Sequence, residues 1–415
     1  MYTTLTRETV SEYVLGLERC REILGEGGEL TVSEIGDGNL NYVYRIQRSD
    51  DASRSVILKQ SVPYLRMAGE SWPLNKNRML IEIKALEAYN KITPDFVPDI
   101  YYSDEEMCVL IMQDLGEVKV LRYSMIEGDT FSGLGGDIGC FLAKSLFSTS
   151  YLGMQSVERR ELMQDFMLND DLCKLTEEFI FTFPFIDHES NYQNREMNEY
   201  ALKLFRNDRE YLESVLHYKE LFLSKTDALI HGDLHTGSLM AASDQTYVID
   251  TEFAFFGPFG FDVGKIIANF LMSYTSHFYR EGGAEFQVWV LKEIQSIWNV
   301  FEKEFLRQWN DSQGSALIYQ NSLDADHLAV FKQNFMKRIF EDAIGFCACS
   351  LARRTIGIAG VADIRDIEDL AIRAKLEIMN IDLSHQLMRN RKNMTSIDEL
   401  VSALEEFYAN KTLEI

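Results

Sequence analysis

An α+β chain of two lobes is the fold class the sequence predicts: a small lobe built on an antiparallel sheet, then a larger, mainly helical one. Three observations predict it. Short β-rich runs separated by Gly, Asn, Asp and Ser crowd into the span from Glu29 to Gln60. Helical apolar spacing dominates after Leu115, and one β-rich island, residues 228–257, interrupts those helices. The 415 residues exceed the roughly 100–200 of an ordinary domain, so two cores are expected, here divided as residues 1–113 and 114–415.

Residues 7–24 carry helical spacing, with Val10, Tyr13, Val14, Leu17 and Leu24 near one face, and predict a leading helix. ELTVSEI, NYVYRIQR and RSVILKQ then predict a three-strand antiparallel meander. VPYLRMAGESWPLNKN reads as a loop. RMLIEIKALEAYNKI reads as a helix closed at Thr93-Pro94, where proline cannot continue the hydrogen-bond ladder. Strands near DIYYS and MCVLIMQDL complete the small lobe by about residue 113. Beyond it, LGGDIGCFLAKSLFSTSYL and NEYALKLFRNDREYLESVLHYKELFL predict long helices, and helices resume from about Gly264. There is no internal repeat. With six prolines and no Gly/Ser tract, a short segment near residues 113–117 is expected to join the lobes.

Apolar residues make up 46% and charged residues 26%, which excludes a disordered chain, a collagen-like fibre and a coiled coil. Lys+Arg is 41 against Asp+Glu 65, a formal charge of −24 that repels phosphate backbones and anionic lipid. Nucleic-acid and membrane partners are therefore not expected, although a local cationic pocket for a small anion is compatible with that charge. No stretch approaches the roughly 18 apolar residues of a membrane span. MYTTLTRETVSEYV mixes charge and polarity too early for a secretory signal. The six cysteines (Cys20, Cys108, Cys140, Cys173, Cys347, Cys349) are scattered, and one C-x-C pair is a poor zinc signature. Buried free thiols in a reducing cytoplasm are expected.

The island holds the chemistry. In Leu229-Ile230-His231-Gly232-Asp233-Leu234-His235 an apolar pair delivers a polar cluster, as at the end of a buried strand. After a turn at Ser243-Asp244, Tyr247-Val248-Ile249-Asp250-Thr251-Glu252 ends in carboxylates at i and i+2. Extended backbone would project both to one side. Asp233, Asp250 and Glu252 at adjacent strand ends would repel one another unless a cation lay among them. Mg²⁺ carrying nucleotide phosphates is the economical answer. A zinc pair of His231 and His235 is a weaker reading, because Gly232 disfavours the helix that would align them. Solvated turn carboxylates would be the preferred account of a lone D-x-E, but not of one with H-G-D upstream.

The small lobe supplies nucleotide parts. Ile35-Gly36-Asp37-Gly38-Asn39-Leu40-Asn41 lies between predicted strands, where a glycine-rich hairpin can turn backbone N–H groups toward phosphate. Alone it is feeble, since hairpins commonly carry Gly and Asn for turn geometry. Lys59 follows Val56-Ile57-Leu58, much like a V-A-I-K lysine; an edge-strand surface lysine is the blander alternative. Glu82, preferred to Glu87, stands in the next helix to pair with it. Gln113, Asp114 and Leu115 end a strand at the lobe junction, where backbone groups of Gln113 and Leu115 can read an adenine edge. Hairpin, strand lysine, helix glutamate, hinge, H-G-D and D-x-E occur in the order a two-lobed phosphotransferase requires.

HGDLHTGS followed by IDTEFAFFGPFGFDVG, with EIGDGNLNYVY, GESWPL and ARRTIGIA, resembles the methylthioribose kinase family, a small-molecule branch of the protein-kinase-like and aminoglycoside-phosphotransferase-like fold. The resemblance runs from about residue 29 to residue 365 and implies ATP-dependent phosphorylation of the 1-hydroxyl of 5-methylthioribose in methionine salvage. It implies Asp233 as catalytic base at the sugar hydroxyl, with Asp250 and Glu252 on Mg²⁺. It further implies Asn39, Lys59 and Glu82 at ATP, Gln113, Asp114 and Leu115 along the adenine, and Thr251 within the same D-x-E. Arg353 and Arg354 would meet the sugar, and Trp72 would lie on a flap closing over it and excluding water. Ion-pair partners and local packing are the blander roles for those arginines and for Trp72. A homodimer is also implied. The chain departs from the family at Thr251, often proline, and at Gly360, often histidine, the latter bearing on sugar specificity. A related phosphotransferase acting on an aminoglycoside, choline or another pentose is the alternative. The acid charge suits a polycationic aminoglycoside; the arginine pair and GESWPL oppose it. A pseudokinase-like binding module is a further reading, opposed by intact Lys59, Asp233, Asp250 and Glu252.

Overall fold

Strands rich in β-branched and aromatic residues build the first sheet, with burial alternating along its outer strand Leu30–Glu34 and almost continuous along the central Ser55–Ser61. Five antiparallel strands lie in the order Leu30–Glu34, Asn41–Arg48, Ser55–Ser61, Val109–Gln113, Ile100–Asp104. The structure, a computed structural model, describes residues 2–35, 40–65, 69–191, 195–312, 317, 323–358 and 360–411. It forms two compact units. One comprises Met1–Val118, Leu168–Leu172 and Tyr247–Ala254; the other comprises Lys119–Met167, Cys173–Thr246 and Phe255–Ile415.

In the first unit, Val10, Val14, Cys20 and Leu24 pack with Tyr44, Ile46, Val56, Leu58, Val109 and Ile111. The single leading helix expected over 7–24 is instead two, Val10–Leu15 and Glu18–Leu24, separated by Leu17 in extended conformation (φ −97°, ψ 128°). Burying Cys20 and Leu24 completely explains the break, since about 1.5–3 kcal/mol per large apolar side chain outweighs a lost helical turn. The segment expected as a plain loop contains a small hairpin, Tyr64–Leu65 with Gly69–Pro73. The helix Arg78–Ile92 buries Met79, Ile83 and Leu86, and with them Glu82.

The second unit is mainly helical. Leu134–Thr149 lies against Gly283–Asp311 so closely that a Cβ on Gly139 would stand 2.5 Å from Ile297 O. Gly260–Ser276 is buried along its whole length and crosses Ala325–Ile356 at Gly264, where a Cβ would meet Ala343 O at 2.3 Å. Phe181, Phe222, Phe261 and Phe346 fill the space beside that crossing. The long helix expected over 198–223 is broken at Asp208, whose carboxylate accepts from Tyr211 N and starts a new helix, Arg209–Ser224. Two short strands, Ala228–Ile230 and Phe255–Gly257, pair antiparallel beneath the H-G-D turn. No disulfide joins the six cysteines; four are buried as expected, whereas Cys140 and Cys173 lie nearer the surface and are only partly buried. No helix among the described residues is long and apolar enough to cross a membrane.

Candidate active site

Lys59 stands in the central strand Ser55–Ser61, opposite Val43 on one side and Leu110 on the other. Its Nζ lies 2.8 Å from Glu82 Oε1 and 2.6 Å from Asp250 Oδ1. Lys59 and Glu82 are buried, whereas the Asp250 side chain keeps 50% of its exposure. Burial alone would pull the ammonium down, but Asp250, Glu82 and Glu252 outweigh it and hold Lys59 above an ordinary lysine. Burial pushes Glu82 upward against the pull of Lys59. The result is a fixed cation beside an accessible carboxylate.

The D-x-E segment does not continue its strand. Asp250 turns left-handed (φ 61°, ψ 52°), and Thr251–Phe253 forms a 3₁₀ turn, so the extended geometry expected for i and i+2 is absent. Aspartate tolerates that region better than most residues, at about 1–2 kcal/mol, a cost its ion pair with Lys59 helps to offset. Glu252 points to other partners: its Oε2 accepts from Asn41 Nδ2 at 3.0 Å and lies 3.2 Å from Arg78 Nε. Thr251 is buried and gives its hydroxyl to Glu82 O at 3.2 Å. Asn169 Nδ2 bonds Glu252 O and Ala254 O, bracing the turn. The donors suit a hard cation: the Asp250 carboxylate is half exposed, and among the described residues the side-chain contacts of Glu252 fall on Oε2.

Arg78, the first residue of the helix that carries Glu82, is the hub of this unit. One amino group donates to Val62 O and Asn75 O at 2.8 and 3.1 Å, the other to Leu40 O and Asn41 Oδ1 at 2.7 and 2.8 Å. With Nε on Glu252, one side chain ties the exit of the glycine-rich segment, a strand end, a helix start and the D-x-E turn. Asn39 lies outside the described residues, as does the side chain of Trp72. At the strand end, Gln113 N donates to Asp99 O at 2.8 Å and Leu115 O accepts from Val118 N at 3.3 Å. Asp114 is held by Arg45 at 2.8 Å and by Gly116 N at 3.0 Å, so its carboxylate braces the turn.

In the second unit, Gly232 takes a left-handed turn (φ 81°) after Ala228–Ile230 and presents Asp233. Asp262 accepts from His231 N at 2.6 Å and Gly232 N at 3.1 Å, pinning that turn. Asp233 Oδ1 forms an ion pair with Lys265 and lies 3.2 Å from Arg354 Nη2, while Oδ2 lies 3.3 Å from His235 Nε2. Burial opposes ionisation, but Lys265, His235 and Arg354 outweigh it and hold the carboxyl well below its usual range. His235 Nδ1 accepts from Gly237 N and Ser238 N, both at 3.0 Å, so its proton sits on Nε2, facing Asp233. The Nδ1 of His231 likewise accepts from Asp233 N at 3.2 Å, and neither imidazole is arranged with the other as a zinc pair.

Arg353 and Arg354 end the helix Ala325–Ile356. Arg354 is spent on Asp233; burial and the neighbouring Arg353 push it down to about 9. Arg353 has Nε and Nη1 buried without a hydrogen-bond partner among the described residues. An unpaired buried donor costs about 1–3 kcal/mol, which a ligand oxygen would recover. At Gly360 a Cβ would stand 2.5 Å from Arg365, whose Nη2 donates to Gly357 O and Thr355 O at 2.8 and 3.1 Å. The missing side chain therefore leaves room for an arginine that caps the helix end.

The phosphotransferase enzyme family model matches residues 31–295. A methylthioribose kinase from Geobacillus sp. is 39% identical over 377 residues, spanning 91% of this chain and 90% of the relative. Another from Bacillus velezensis is 39% identical over 372 residues, 90% of each chain. The chain belongs to the methylthioribose kinase family. Among solved structures, a glucosamine kinase in complex with glucosamine, ADP and inorganic phosphate is similar over 94% of this chain and 88% of its own, at 11% identity and a TM-score of 0.49. For a member of the methylthioribose kinase family, sequence reading overlooked Arg78 as a hub, and Asp262, Lys265 and His235 as holders of the H-G-D turn. Only the string FDVGK, immediately beyond the island, could have pointed to Asp262 and Lys265, and a pair three apart in an apolar helix is a faint signal.

Proposed function

We propose that this chain transfers the γ-phosphoryl group of ATP to the 1-hydroxyl of 5-methylthioribose, yielding 5-methylthioribose 1-phosphate and ADP in methionine salvage. The match to named methylthioribose kinases across 91% of the chain carries this reading. Asp233 orients the sugar hydroxyl and accepts its proton as the O1–Pγ bond forms and the bond from Pγ to the β-phosphate oxygen breaks. A carboxylate held so firmly ionised is a weak base, so orientation is the larger part of its work; a loose phosphoryl-transfer transition state needs little more. Arg353, with donors unspent, addresses the sugar oxygens, and Arg354 steadies Asp233. Trp72 belongs to the flap over the sugar.

Lys59 meets the ATP phosphates, kept in place by Glu82, and Asn39 lies along the same phosphates. Gln113 O and Leu115 N read the adenine edge, with Asp114 bracing the turn. Asp250 and Glu252 would hold Mg²⁺, which when bound neutralises phosphate charge; Thr251 keeps their turn against the helix. Residues 1–113 act as nucleotide-binding lobe and 114–415 as catalytic and substrate lobe, the D-x-E segment of the latter grouping by its contacts with the former. A cytoplasmic homodimer completes the proposal, for which elution at twice 47.9 kDa is the expected sign. A coupled ADP-release assay over methylthioribose, ribose, choline and kanamycin tests the whole. Turnover is expected with methylthioribose foremost; equal or faster turnover of choline or kanamycin would refute it.

A further inference from the structure

Asp233 is gripped from one helix on two polarities. Asp262 and Lys265, three residues apart near the start of Gly260–Ser276, share a face. The first accepts the N–H groups of His231 and Gly232; the second reaches Gly232 O at 3.4 Å and pairs with Asp233 Oδ1. Lys265 is 1% exposed. Taking an ammonium out of water costs several kcal/mol, so a lysine there needs a charge to hold. Of the groups on the Asp233 carboxylate, His235 comes from the same turn and Arg354 from the end of another helix. Lys265 both pairs with that carboxylate and reaches the carbonyl of the backbone that carries it.

We propose that Lys265 is a positioning residue for phosphoryl transfer: its ammonium fixes Oδ1 of Asp233 and the Gly232 carbonyl together, aiming Oδ2 at the acceptor hydroxyl. This rests on Asp233 being the residue that meets that hydroxyl. The remaining surroundings fit the task. Burial, with Arg353 and Arg354 nearby, brings Lys265 down to about 8, and Asp233 is the group that holds it up against them. Lysine therefore stays protonated in the resting enzyme because of the carboxylate it holds.

The test is a double-substitution cycle in the full chain, with kcat and KM for ATP measured alongside ADP affinity by calorimetry. Lys265→Met should lower kcat by about 100-fold, the cost of misplacing a reacting group by about 1 Å, with ADP affinity unchanged. Lys265→Arg should recover part of that loss. Asp233→Asn with Lys265→Met should be no slower than Asp233→Asn alone, because a residue acting through Asp233 has nothing left to position. Wild-type kcat in Lys265→Met, or a double variant that multiplies both losses, overturns the proposal. Should Lys265→Met fail to fold, Lys265→Gln takes its place in the cycle, and a wild-type kcat there overturns the proposal. Asp233→Asn with near-normal turnover would instead sink the role of Asp233, a separate result.

Discussion

Asp250 combines a lysine partner with open solvent, and this makes it the place where a divalent cation would be felt first. Asp250→Ala should abolish the Mg²⁺ dependence of ADP binding, seen by calorimetry with and without the ion; an unchanged Mg²⁺ titration would count against the site. His235 makes a different kind of prediction. Burial, with Arg122 and Arg354 nearby, takes its imidazole down to about 3, against an ordinary value near 6.5. Between those values the unfolded chain binds a proton that the folded chain does not. Its contribution to stability is thus complete above about pH 6.5 and falls as the pH drops toward 3. Nitrogen NMR at pH 5 should find His235 neutral with its proton on Nε2, and a charged ring at that pH would contradict the hydrogen bonds to Gly237 and Ser238. Lys59 and Glu82 were legible at this scale, because a lysine closing a β-branched run and a glutamate one helix later form a pattern in order. The partners of Asp233 were not, because a lysine and an arginine distant in sequence carry no local mark of meeting the same carboxylate.

At the scale of elements, Arg78 and Gly264 each join pieces that local pattern treats as separate. Removing Arg78 leaves Glu252 buried with its strongest partner gone, and breaking a buried pair this way typically costs about 3–5 kcal/mol. Arg78→Met should therefore lower the melting temperature and weaken ADP binding together, whereas unchanged ADP affinity would show that the hub does not support the nucleotide side. Gly264→Val places atoms where the backbone of Ala343 already lies, so its helices must separate, and overpacking of about 1–3 kcal/mol is the least expected. Its denaturation midpoint should fall, with kcat falling too because Lys265 is the next residue. Periodicity found most of the helices and the five strands of the first sheet. It missed the breaks at Leu17 and Asp208, where burial of a second apolar face and a capping carboxylate decided against continuing. It also misjudged D-x-E, since a left-handed aspartate followed by a 3₁₀ turn is selected by the lysine and arginine it must reach, not by its own sequence.

For the molecule as a whole, a charge of −24 opposes the approach of an anionic nucleotide, which the proposed site at Lys59 would attract only at short range. Screening should therefore help association. With the Debye length shrinking from about 20 Å to about 7 Å between low and moderate salt, the association rate of ADP should rise with KCl in stopped-flow measurements. A rate that falls with salt would mean that the local cations govern the encounter. Neighbours along the chain were enough for the α+β class, the order of the parts and the family, because periodicity, turn residues and short motifs are local properties. The tertiary structure alone decided which charges meet: Lys59 with Asp250, Arg78 with Glu252, Lys265 with Asp233. Each pair joins residues far apart in number, and the energy of a buried charge depends on what surrounds it in space.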